Sequence, residues 1–517
     1  MYLTQGLHRA VQQRPDDVAT VFDDRVTTFA QQSQRVCRLA GGLRELRVQR
    51  GDRVAFLGLN SDRYCEYYLA VPWADATVNP VNIRWSPTEI ASSLNDSQTR
   101  VLMVDDAFAS AVDEISKCYD GLDTIVYAGD GATPTGMVCY EELACQGSPI
   151  EDARRGEEAM AGLFYTGGTT GVPKAVMLSH ANLTTSALGI VASQVFPNIT
   201  GPILHVAPLF HLAALSELVI STLVGRTQVI LPSFDPLAVL QAVEQHRIEG
   251  LRLVPIMLQL LLDHPSIDDF DLSGVSSVGY GGSPIAESLL LRAIAKLPNA
   301  GFVQAFGQTE LSPVTALLGP EAHSPDDSQS GLLRSAGRAA LHAEIRVVDN
   351  NGRASPPGQV GEITVRGGHV MLGYWNRPVE TAAALQAGWL HTGDAGFLDE
   401  NGYLYVVDRI KDIIITGGEN VYCTEVENAL ASHPAISSCA VIGVPDELWG
   451  ERVHAVIEAV AGADVRVEDL RLHTKYSLAA YKCPRSIEVV DKLPLSASGK
   501  VLKGELRTRV AGHDGST

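Results

Sequence analysis

Tyr165-Thr-Gly-Gly-Thr-Thr-Gly-Val-Pro-Lys174 is the stretch that decides how this chain is interpreted, and it joins the apolar segments Leu163-Phe164 and Ala175–Leu178. Glycines let the backbone turn tightly, and free N–H groups, hydroxyls and a lysine ammonium together form a cradle for an anion. The common phosphate loop differs, because its lysine directly follows the second glycine of G-x-x-x-x-G. Alone, the stretch leaves two interpretations open: a phosphate-binding loop, or a glycine-rich hairpin with a surface lysine.

Composition places the chain among globular enzymes with more than one domain. It has 517 residues, of which 45% are apolar and 19% are charged, and one hydrophobic core does not extend over such a length. The formal net charge is −20, which argues against nucleic acid as the principal partner. An acidic protein that binds a polyanion must concentrate positive charge locally, and the stretch around Lys174 is one place to do so.

Compartment and membrane association are predicted from cysteine spacing and apolar runs. The eight cysteines contain no C-x-x-C pair, which predicts reduced thiols in a cytoplasmic protein and no metal site built from cysteine. The N-terminus has no apolar signal core. The longest apolar run, Leu212 to Val224, contains Glu217 and is too short to cross a bilayer.

Strands and helices alternate through most of the chain. Residues 1–150 show this texture clearly, with helical spacing over Thr28 to Leu46 and a capped helix over Pro87 to Leu94, and it predicts a largely parallel α/β sheet. From residue 341 the sequence becomes rich in strands. The short charged segment Asp408-Arg-Ile-Lys-Asp412 predicts a hinge, followed by an α+β domain of about a hundred residues.

Polar groups follow predicted strands at several later points, where open α/β sheets bind ligands. The stretches are Val278-Gly-Tyr-Gly-Gly-Ser-Pro284, Phe302-Val-Gln-Ala-Phe-Gly-Gln-Thr-Glu310 and Gly388-Trp-Leu-His-Thr-Gly-Asp394, with Leu493-Pro-Leu-Ser-Ala-Ser-Gly-Lys500 near the end. Each has an ordinary alternative: a strand end with a solvated glutamate, a turn aspartate, or a solvated loop lysine.

Taken in order, the stretches YTGGTTGVPK, GYGGSP, FGQTE, HTGD and DRIKDIIITGGENVYCTEVE, with LPLSASGK behind them, closely resemble the adenylate-forming superfamily of acyl- and aryl-CoA synthetases, adenylation domains and beetle luciferases. The resemblance runs from about residue 20 to residue 505. It implies an α/β fold with a large N-terminal domain, residues 1–410, that contains a small β-barrel-like subdomain. A small mobile α+β domain, residues 411–517, is expected to follow.

The resemblance implies an acid–thiol ligase that works in two half-reactions. A carboxylate attacks the α-phosphate of Mg·ATP and gives an acyl-adenylate and pyrophosphate. The thiol of coenzyme A then takes the acyl group and releases AMP. A carboxylate is a poor nucleophile, so such catalysis rests on positioning and charge neutralisation.

Roles for the nucleotide site follow from the resemblance. The residues expected to bind ATP or AMP are Thr166, Gly168, Thr169, Thr170, Lys174, Gly281, Gly282, Ser283, Phe306, Gly307, Asp394 and Arg409. Thr309 is expected to contact the α-phosphate, and Glu310, with Thr170, to hold Mg²⁺ as an oxygen ligand. Lys500 is expected to reach the carboxylate and the α-phosphate together and offset the charge that gathers there.

The acyl and coenzyme sites are also implied by the resemblance. The acyl pocket is expected to involve His211, Leu212, Leu215, Ile256, Met257, Tyr280, Gly281 and Ala305. Lys411 corresponds to the hinge about which the small domain turns, and Gly417, Gly418, Glu419 and Trp449 are expected to contact coenzyme A. Two departures from the usual pattern, Gly167 for serine and Ala175 for glycine, are not expected to abolish function.

The acid and the acceptor stay open at this stage. The Leu-Phe-His-Leu-Ala stretch around His211 offers no aspartate for a substrate ammonium, and Arg252 is the one nearby candidate for binding a second carboxylate. Fatty and aryl acids both fit. A carrier-protein-loading enzyme, a luciferase-like monooxygenase and a non-catalytic nucleotide-binding protein are the alternative functions, and a homodimer is an open possibility.

Overall fold

The computed structural model of the protein describes residues 1–166, 173–323, 330–446, 448–460, 462–463, 465–495 and 501–514. Its helices are α1 Gln5–Gln13, α2 Phe29–Glu45, α3 Asp62–Trp73, α4 Pro87–Asp96, α5 Val112–Cys118, α6 Tyr140–Gln146, α7 His180–Ala192, α8 Leu212–Val224, α9 Pro236–His246, α10 Pro255–Leu262, α11 Glu287–Lys296, α12 Pro378–Ala384, α13 Cys423–Ala431, α14 Val467–Ser477 and α15 Lys503–Asp514.

Two long sheets carry most of the N-terminal part. The strands of the nine-stranded sheet are β1 Val18–Phe22, β2 Arg25–Thr28, β10 Ile203–His205, β11 Gln228–Ile230, β12 Gly250–Leu253, β13 Ser277–Gly281, β14 Gly301–Phe306, β15 Ala316–Leu318 and β16 Arg338–Ala339. Those of the eight-stranded sheet are β3 Arg53–Leu57, β4 Thr77–Pro80, β5 Val101–Val104, β6 Thr124–Tyr127, β7 Val138–Cys139, β8 Met160–Thr166, β9 Lys174–Ser179 and β19 Gly373–Tyr374.

Strand order follows from alternating strands and helices. The nine-stranded sheet runs β16-β15-β14-β13-β12-β10-β11-β1-β2 and the eight-stranded sheet runs β19-β9-β8-β4-β3-β5-β6-β7. Their central neighbours are parallel, as helical crossovers require. The predicted parallel α/β sheets are confirmed.

Two smaller sheets follow, each with five strands. The first contains β17 Glu344–Val348, β18 Gly361–Arg366, β20 Leu385–Gln386, β21 Trp389–Leu398 and β22 Leu404–Arg409, in the order β17-β18-β21-β20 with β22 on β21. The second contains β23 Ile414–Thr416, β24 Glu419–Val421, β25 Ile436–Asp446, β26 Gly450–Ala459 and β27 Ser486–Val490. A 3₁₀ turn at Ile410–Asp412 separates them.

Local sequence explains several helix boundaries that were predicted. Ser86 and Glu89 form a reciprocal capping box at the start of α4, which satisfies two amide groups that a helix start leaves unpaired. Helix α8 ends at Gly225, whose φ of 73° suits a residue without a Cβ. Among the residues described, no helix is long and apolar enough to cross a membrane.

Candidate active site

The strands on either side of the first glycine-rich stretch pair with each other. Strands β8 and β9 pair antiparallel, with Thr166 opposite Lys174, and the Thr166 hydroxyl donates to the Lys174 carbonyl over 3.4 Å. The predicted ligands Gly168, Thr169 and Thr170 lie outside the described residues. The pairing places Lys174, the first residue of β9, beside Thr166, the last residue of β8, and both interpretations of the stretch between them stay open.

Strand β19 brings a distant segment against Lys174. Tyr374 is paired with Val176 of β9, and the Lys174 ammonium lies 5.3 Å from the centre of the Tyr374 ring. The Tyr374 hydroxyl donates to Oε1 of Glu310 over 2.8 Å. A tyrosine therefore links the lysine of the hairpin to the carboxylate that follows β14.

The backbone around Glu310 is fixed as well. Glu310 lies in a 3₁₀ turn, Thr309–Leu311, and its carbonyl accepts a hydrogen bond from the Met371 amide over 2.9 Å. Burial and the nearby Glu310 carboxylate raise the pKa of Tyr374, and the positive charge of Arg409 opposes the rise. The Tyr374 hydroxyl therefore stays protonated and donates its hydrogen bond to Glu310. Because the charge of Arg409 acts on Tyr374, Arg409 lies in the same part of the site.

Glycines at the ends of β13 and β14 let the backbone pack closely against neighbouring carbonyl groups. A Cβ at Gly281 would lie 2.2 Å from the Ala305 carbonyl oxygen, and one at Gly307 would lie 1.9 Å from the Pro313 carbonyl oxygen. Either contact is impossible for a larger residue without moving the backbone. Gly282 has a φ of 81°, and Ser283 and Phe306 are both half-buried beside these glycines.

The predicted ribose-binding aspartate is buried and paired. Asp394 on β21 stands opposite Arg409 on β22, and Oδ1 of Asp394 lies 2.5 Å from Nε of Arg409. The Asp394 amide donates to the Thr392 hydroxyl oxygen. The Glu362 carboxylate accepts hydrogen bonds from the Gly393 amide and lies 2.7 Å from Nδ1 of His391. The His-Thr-Gly-Asp segment is therefore fixed by its own strand neighbours.

The predicted hinge segment, residues 408–412, contacts two helices of the C-terminal part, α13 and α15. The Asp408 carboxylate accepts a hydrogen bond from the Cys423 amide over 2.5 Å. The Asp412 carboxylate lies 2.7 Å from the Arg507 guanidinium. Lys411, in the turn between these aspartates, is exposed. Lys500 lies outside the described residues, in the connection between β27 and α15.

The predicted coenzyme-binding residues form an exposed hairpin. Gly417 and Gly418 have φ values of 61° and 85° and connect β23 to β24, where Glu419 begins the second strand. The Gly417 amide donates to the Trp449 carbonyl over 2.8 Å. The Arg485 guanidinium lies 4.2 Å from the centre of the Trp449 ring, so one flat surface of this tryptophan already has a partner.

Predicted acyl-pocket residues lie at three places in the fold. His211 is the residue before α8 and its ring contacts Phe210, while Leu212 and Leu215 are buried in the core beneath α8. Ile256 and Met257, on α10, are half-buried. Gly281 and Ala305 are paired on β13 and β14.

Tyr280 does not belong with Gly281 and Ala305. Successive residues of a strand point to opposite faces of the sheet, and Tyr280 packs in the hydrophobic core that α9, α10 and α11 cover. Its hydroxyl lies 2.9 Å from Nε2 of His323. The prediction that Tyr280 contributes to the pocket is therefore wrong, because its side chain lies on the opposite face from Gly281.

Sequence reasoning missed Tyr374 and Glu362. Tyr374 carries little signal of its own, since a Gly-Tyr-Trp triplet in a strand-rich region is usual for sheet packing. Glu362 precedes the His-Thr-Gly-Asp segment by about thirty residues, and only strand pairing brings them together.

The sequence also matches known families of proteins over most of its length. The AMP-binding enzyme family matches residues 7–375, and the AMP-binding enzyme C-terminal domain matches residues 425–500. This chain belongs to the AMP-binding enzyme family. The predicted adenylate-forming fold and acid–thiol ligase activity are confirmed.

Individual relatives match over nearly the whole length. A feruloyl-CoA synthase of Amycolatopsis sp. is 38% identical over 502 residues, 97% of each chain. The fatty acid–[acyl-carrier-protein] ligase ScoC of Streptomyces coeruleorubidus is 35% identical over 99% of this chain and 96% of its own. The solved structure of the o-succinylbenzoate CoA synthetase of Bacillus subtilis with its acyl-adenylate intermediate has a TM-score of 0.85 at 31% identity, over 97% of both chains.

Proposed function

We propose that this chain activates a fatty or aryl carboxylic acid with Mg·ATP and transfers the acyl group to the thiol of coenzyme A. The observation that supports this most directly is the link from Lys174 through Tyr374 to Glu310. It places an ammonium and a carboxylate on one tyrosine at the mouth of a glycine-rich hairpin. That pairing suits a phosphate chain with a bound cation.

Adenylation is proposed to occur at the carboxyl ends of β13 and β14. Lys174 and the threonines of the hairpin bind the outer phosphates, while Gly281, Gly282 and Phe306 accept the adenine. Asp394 accepts hydrogen bonds from the ribose hydroxyls. For this the Asp394–Arg409 contact rearranges, and Arg409 moves toward the phosphates. Thr309 and Lys500 stabilise the negative charge where acid and α-phosphate meet.

Glu310 fits the binding of Mg²⁺. Carboxylate oxygens are the ligands that this cation prefers, and it is commonly held by one or two carboxylates together with substrate phosphates. Among the described residues no group of three or more His, Cys, Asp or Glu side chains converges as a complete metal site. When bound, the cation neutralises charge on the ATP phosphates, and the Tyr374 hydroxyl keeps the Glu310 carboxylate oriented.

Thioester formation is proposed to follow rotation of residues 411–517 about Lys411. The 3₁₀ turn at Ile410–Asp412 lies between β22 of the last N-terminal sheet and β23 of the C-terminal one. After rotation, Gly417, Gly418 and Glu419 line the path of the coenzyme thiol. Trp449 is proposed to contact the coenzyme's nucleotide, with Arg485 beside it.

A panel of carboxylic acids tests the proposal. Each acid is incubated with Mg·ATP, and pyrophosphate release is measured without coenzyme A and thioester with it. We expect acid-dependent pyrophosphate release and an ATP-dependent thioester for at least one fatty or aryl acid. Absence of pyrophosphate release across the whole panel contradicts the proposal.

A carrier protein is the second candidate acceptor. The support for it is the 35% identity to the acyl-carrier-protein ligase over nearly the whole chain. Replacement of coenzyme A by a pantetheine-loaded carrier in the same assay separates the two. Thioester on the carrier alone, with unchanged pyrophosphate release, would assign this chain to the second candidate.

A further inference from the structure

A cavity lies at the edge of the eight-stranded sheet that is opposite the glycine-rich stretch. Its volume is about 260 Å³, and its polar lining comes from Arg50, Asp75, Thr77, Arg155 and His180. The first residue of β8 also lines it, and β8 runs from there to the glycine-rich stretch over seven residues. At about 3.3 Å per residue the two ends are about 20 Å apart, so this cavity is separate from the proposed nucleotide site.

Strand direction explains why distant segments meet here. Arg53 of β3 pairs with Thr77 of β4, and the two strands are parallel, so Arg50 and Asp75, which precede them, lie at one edge of the sheet. Strand β9 is antiparallel to β8 and ends at this same edge, where His180 begins α7. The cavity is therefore built from two strand entries and one helix start.

Two arginines of the cavity keep unused hydrogen-bond donors. Across the described residues, neither the Arg50 nor the Arg155 guanidinium donates a hydrogen bond to a protein group. The closest acidic contact of Arg155 is Asp75, with Nη1 3.3 Å from Oδ1. A guanidinium presents five N–H donors in a planar fork that matches the oxygens of an anion. These donors are therefore available to a bound anion.

His180 adds a buried donor to the same cavity. Its side chain belongs to a residue that is 2% exposed, and its Nδ1 accepts a hydrogen bond from the Leu3 amide over 3.3 Å. Burial, together with the charge of Arg155, lowers the pKa of His180 to about 4, so at neutral pH the uncharged ring carries its proton on Nε2. In the part of the chain that the structure describes, this N–H has no acceptor. A buried polar group of this kind calls for a partner.

The charges in the cavity favour an anion that still carries a proton. Arg50 and Arg155 outnumber Asp75, which leaves an excess of positive charge in a chain whose formal net charge is −20. The Asp75 carboxylate accepts no hydrogen bond from the described residues. It repels a fully ionised oxygen but accepts a hydrogen bond from an O–H group. Inorganic phosphate keeps a proton at neutral pH, whereas sulfate and carboxylates have lost theirs.

The volume also favours a small ligand. Pockets that hold drug-sized ligands measure about 300–1,000 Å³, and this cavity lies below that range. It therefore suits a small ion with its waters better than a nucleotide.

We propose that this cavity binds inorganic phosphate in a form that retains a proton. Arg50 and Arg155 donate to its charged oxygens, and Nε2 of His180 donates to a further one. The O–H group of the phosphate donates to Asp75. Sulfate meets the same donors but places an ionised oxygen against the Asp75 carboxylate. The site does not depend on the proposed function, because its residues lie at the other edge of the sheet.

Calorimetric titrations at pH 7 with phosphate, sulfate and glycerol phosphate test the site. We expect Arg50→Gln to weaken phosphate binding by about 10–100-fold, the effect of losing a hydrogen bond between charged groups. Arg353→Gln, which changes an exposed arginine in the turn between β17 and β18, is the matched control and should keep the wild-type affinity. The binding heat that Arg50→Gln removes reports this cavity and not the nucleotide site.

Asp75→Asn tests the selectivity for a protonated anion. Asp75 has a φ of 60°, which asparagine tolerates, so the variant should fold, and urea unfolding checks this. The wild-type cavity should prefer phosphate to sulfate by about 10-fold or more, because sulfate meets a like charge. In Asp75→Asn the amide donates to sulfate, so sulfate should bind more tightly and the preference should approach one.

Crystals soaked in arsenate locate the ion. Arsenate has the shape of phosphate, keeps a proton at neutral pH and scatters anomalously. We expect an anomalous peak within hydrogen-bond distance of Arg50 and Arg155. A peak at other places only, a phosphate affinity that Arg50→Gln does not change, equal binding of sulfate by the wild type, or tighter binding of glycerol phosphate than of phosphate overturns the proposal.

Discussion

Two hairpins in this protein have similar glycine-rich sequences: one joins β8 to β9 and the other joins β23 to β24. They differ in the contacts that their strands make with other segments of the chain. Around the first, β19 pairs with β9, Lys174 lies over Tyr374, and Tyr374 donates to Glu310. In the second, β23 pairs with β26 at Thr416–Gly450 and the Gly417 amide donates to the Trp449 carbonyl, while Gly417, Gly418 and Glu419 at its tip are exposed. We expect the first to be preorganised for its ligand and the second to complete its site only when another surface meets it.

Lys500→Ala should separate the two half-reactions most strongly. Adenylation should fall by about 10²–10³-fold, the effect of removing one group that stabilises transition-state charge. Thioester formation from preformed acyl-adenylate should be largely retained. Pyrophosphate release and thioester formation are measured separately, with Lys492→Ala, an exposed lysine, as the control. Equal loss of both activities would show that Lys500 is not specific to the first half-reaction.

Acid should weaken the N-terminal part before the C-terminal sheet. Burial lowers the pKa of His205 on β10 from 6.5 to about 4, so the unfolded state binds more protons between these values. Stability is then complete above pH 6.5 and falls as the pH drops toward 4, by roughly 3 kcal/mol. Urea unfolding at pH 7 and pH 4.5 measures the fall, and hydrogen exchange should show β10 losing protection before β26.

His205→Gln should reduce that pH dependence, because glutamine does not titrate. His246→Gln, at the less buried end of α9, is the control and should leave it unchanged. An identical fall in the His205 variant would place the acid sensitivity elsewhere.

Tyr374→Phe tests the link that distinguishes the first hairpin. It keeps the ring beneath Lys174 and removes the hydroxyl that orients Glu310. We expect kcat/KM for adenylation to fall by about 5–30-fold, corresponding to about 1–2 kcal/mol, and more Mg²⁺ to be needed for half-maximal rate. Tyr405→Phe, which removes a hydroxyl from a ring stacked on Phe397, is the control. An unchanged Mg²⁺ requirement would contradict the positioning role.

Gly417→Ala should give the smallest effect and only in thioester formation. The φ of 61° is unfavourable for alanine, and its Cβ would lie 2.8 Å from Cε3 of Trp449. A strain of about 1 kcal/mol predicts a several-fold slower transfer to coenzyme A. Gly462→Ala has similar backbone strain with no atom within 4 Å, so it isolates the contact with Trp449. An equal slowing of adenylation would mean that the hairpin does not separate the half-reactions.

The sequence predicted the elements well because their signals are local. Helix α8 begins and ends where its apolar run and Gly225 indicate, and α4 is capped by Ser86 as expected. The order of the motifs identified the family, and the structure brings Lys174, Glu310, Asp394 and Arg409 into one region.

What the sequence could not supply depends on strand register and long-range pairing. Tyr280 was assigned to the wrong side of the sheet, because one residue along β13 reverses the direction of a side chain. Tyr374 was missed because its partners lie far away in sequence. The ion pair between Glu217 of α8 and Arg252 of β12 was likewise missed, since a helix residue and a strand residue meet only after the sheet is assembled.

The pairing of β19 with β9 also has a consequence for synthesis of the protein. Lys174 leaves the ribosome 200 residues before Tyr374, which at 5–20 residues per second is a delay of about 10–40 s. During that interval β9 has β8 on one edge and nothing on the other, an open strand edge of the kind that pairs with other chains. Nascent chains that end before residue 375 are therefore the ones expected to need chaperone protection.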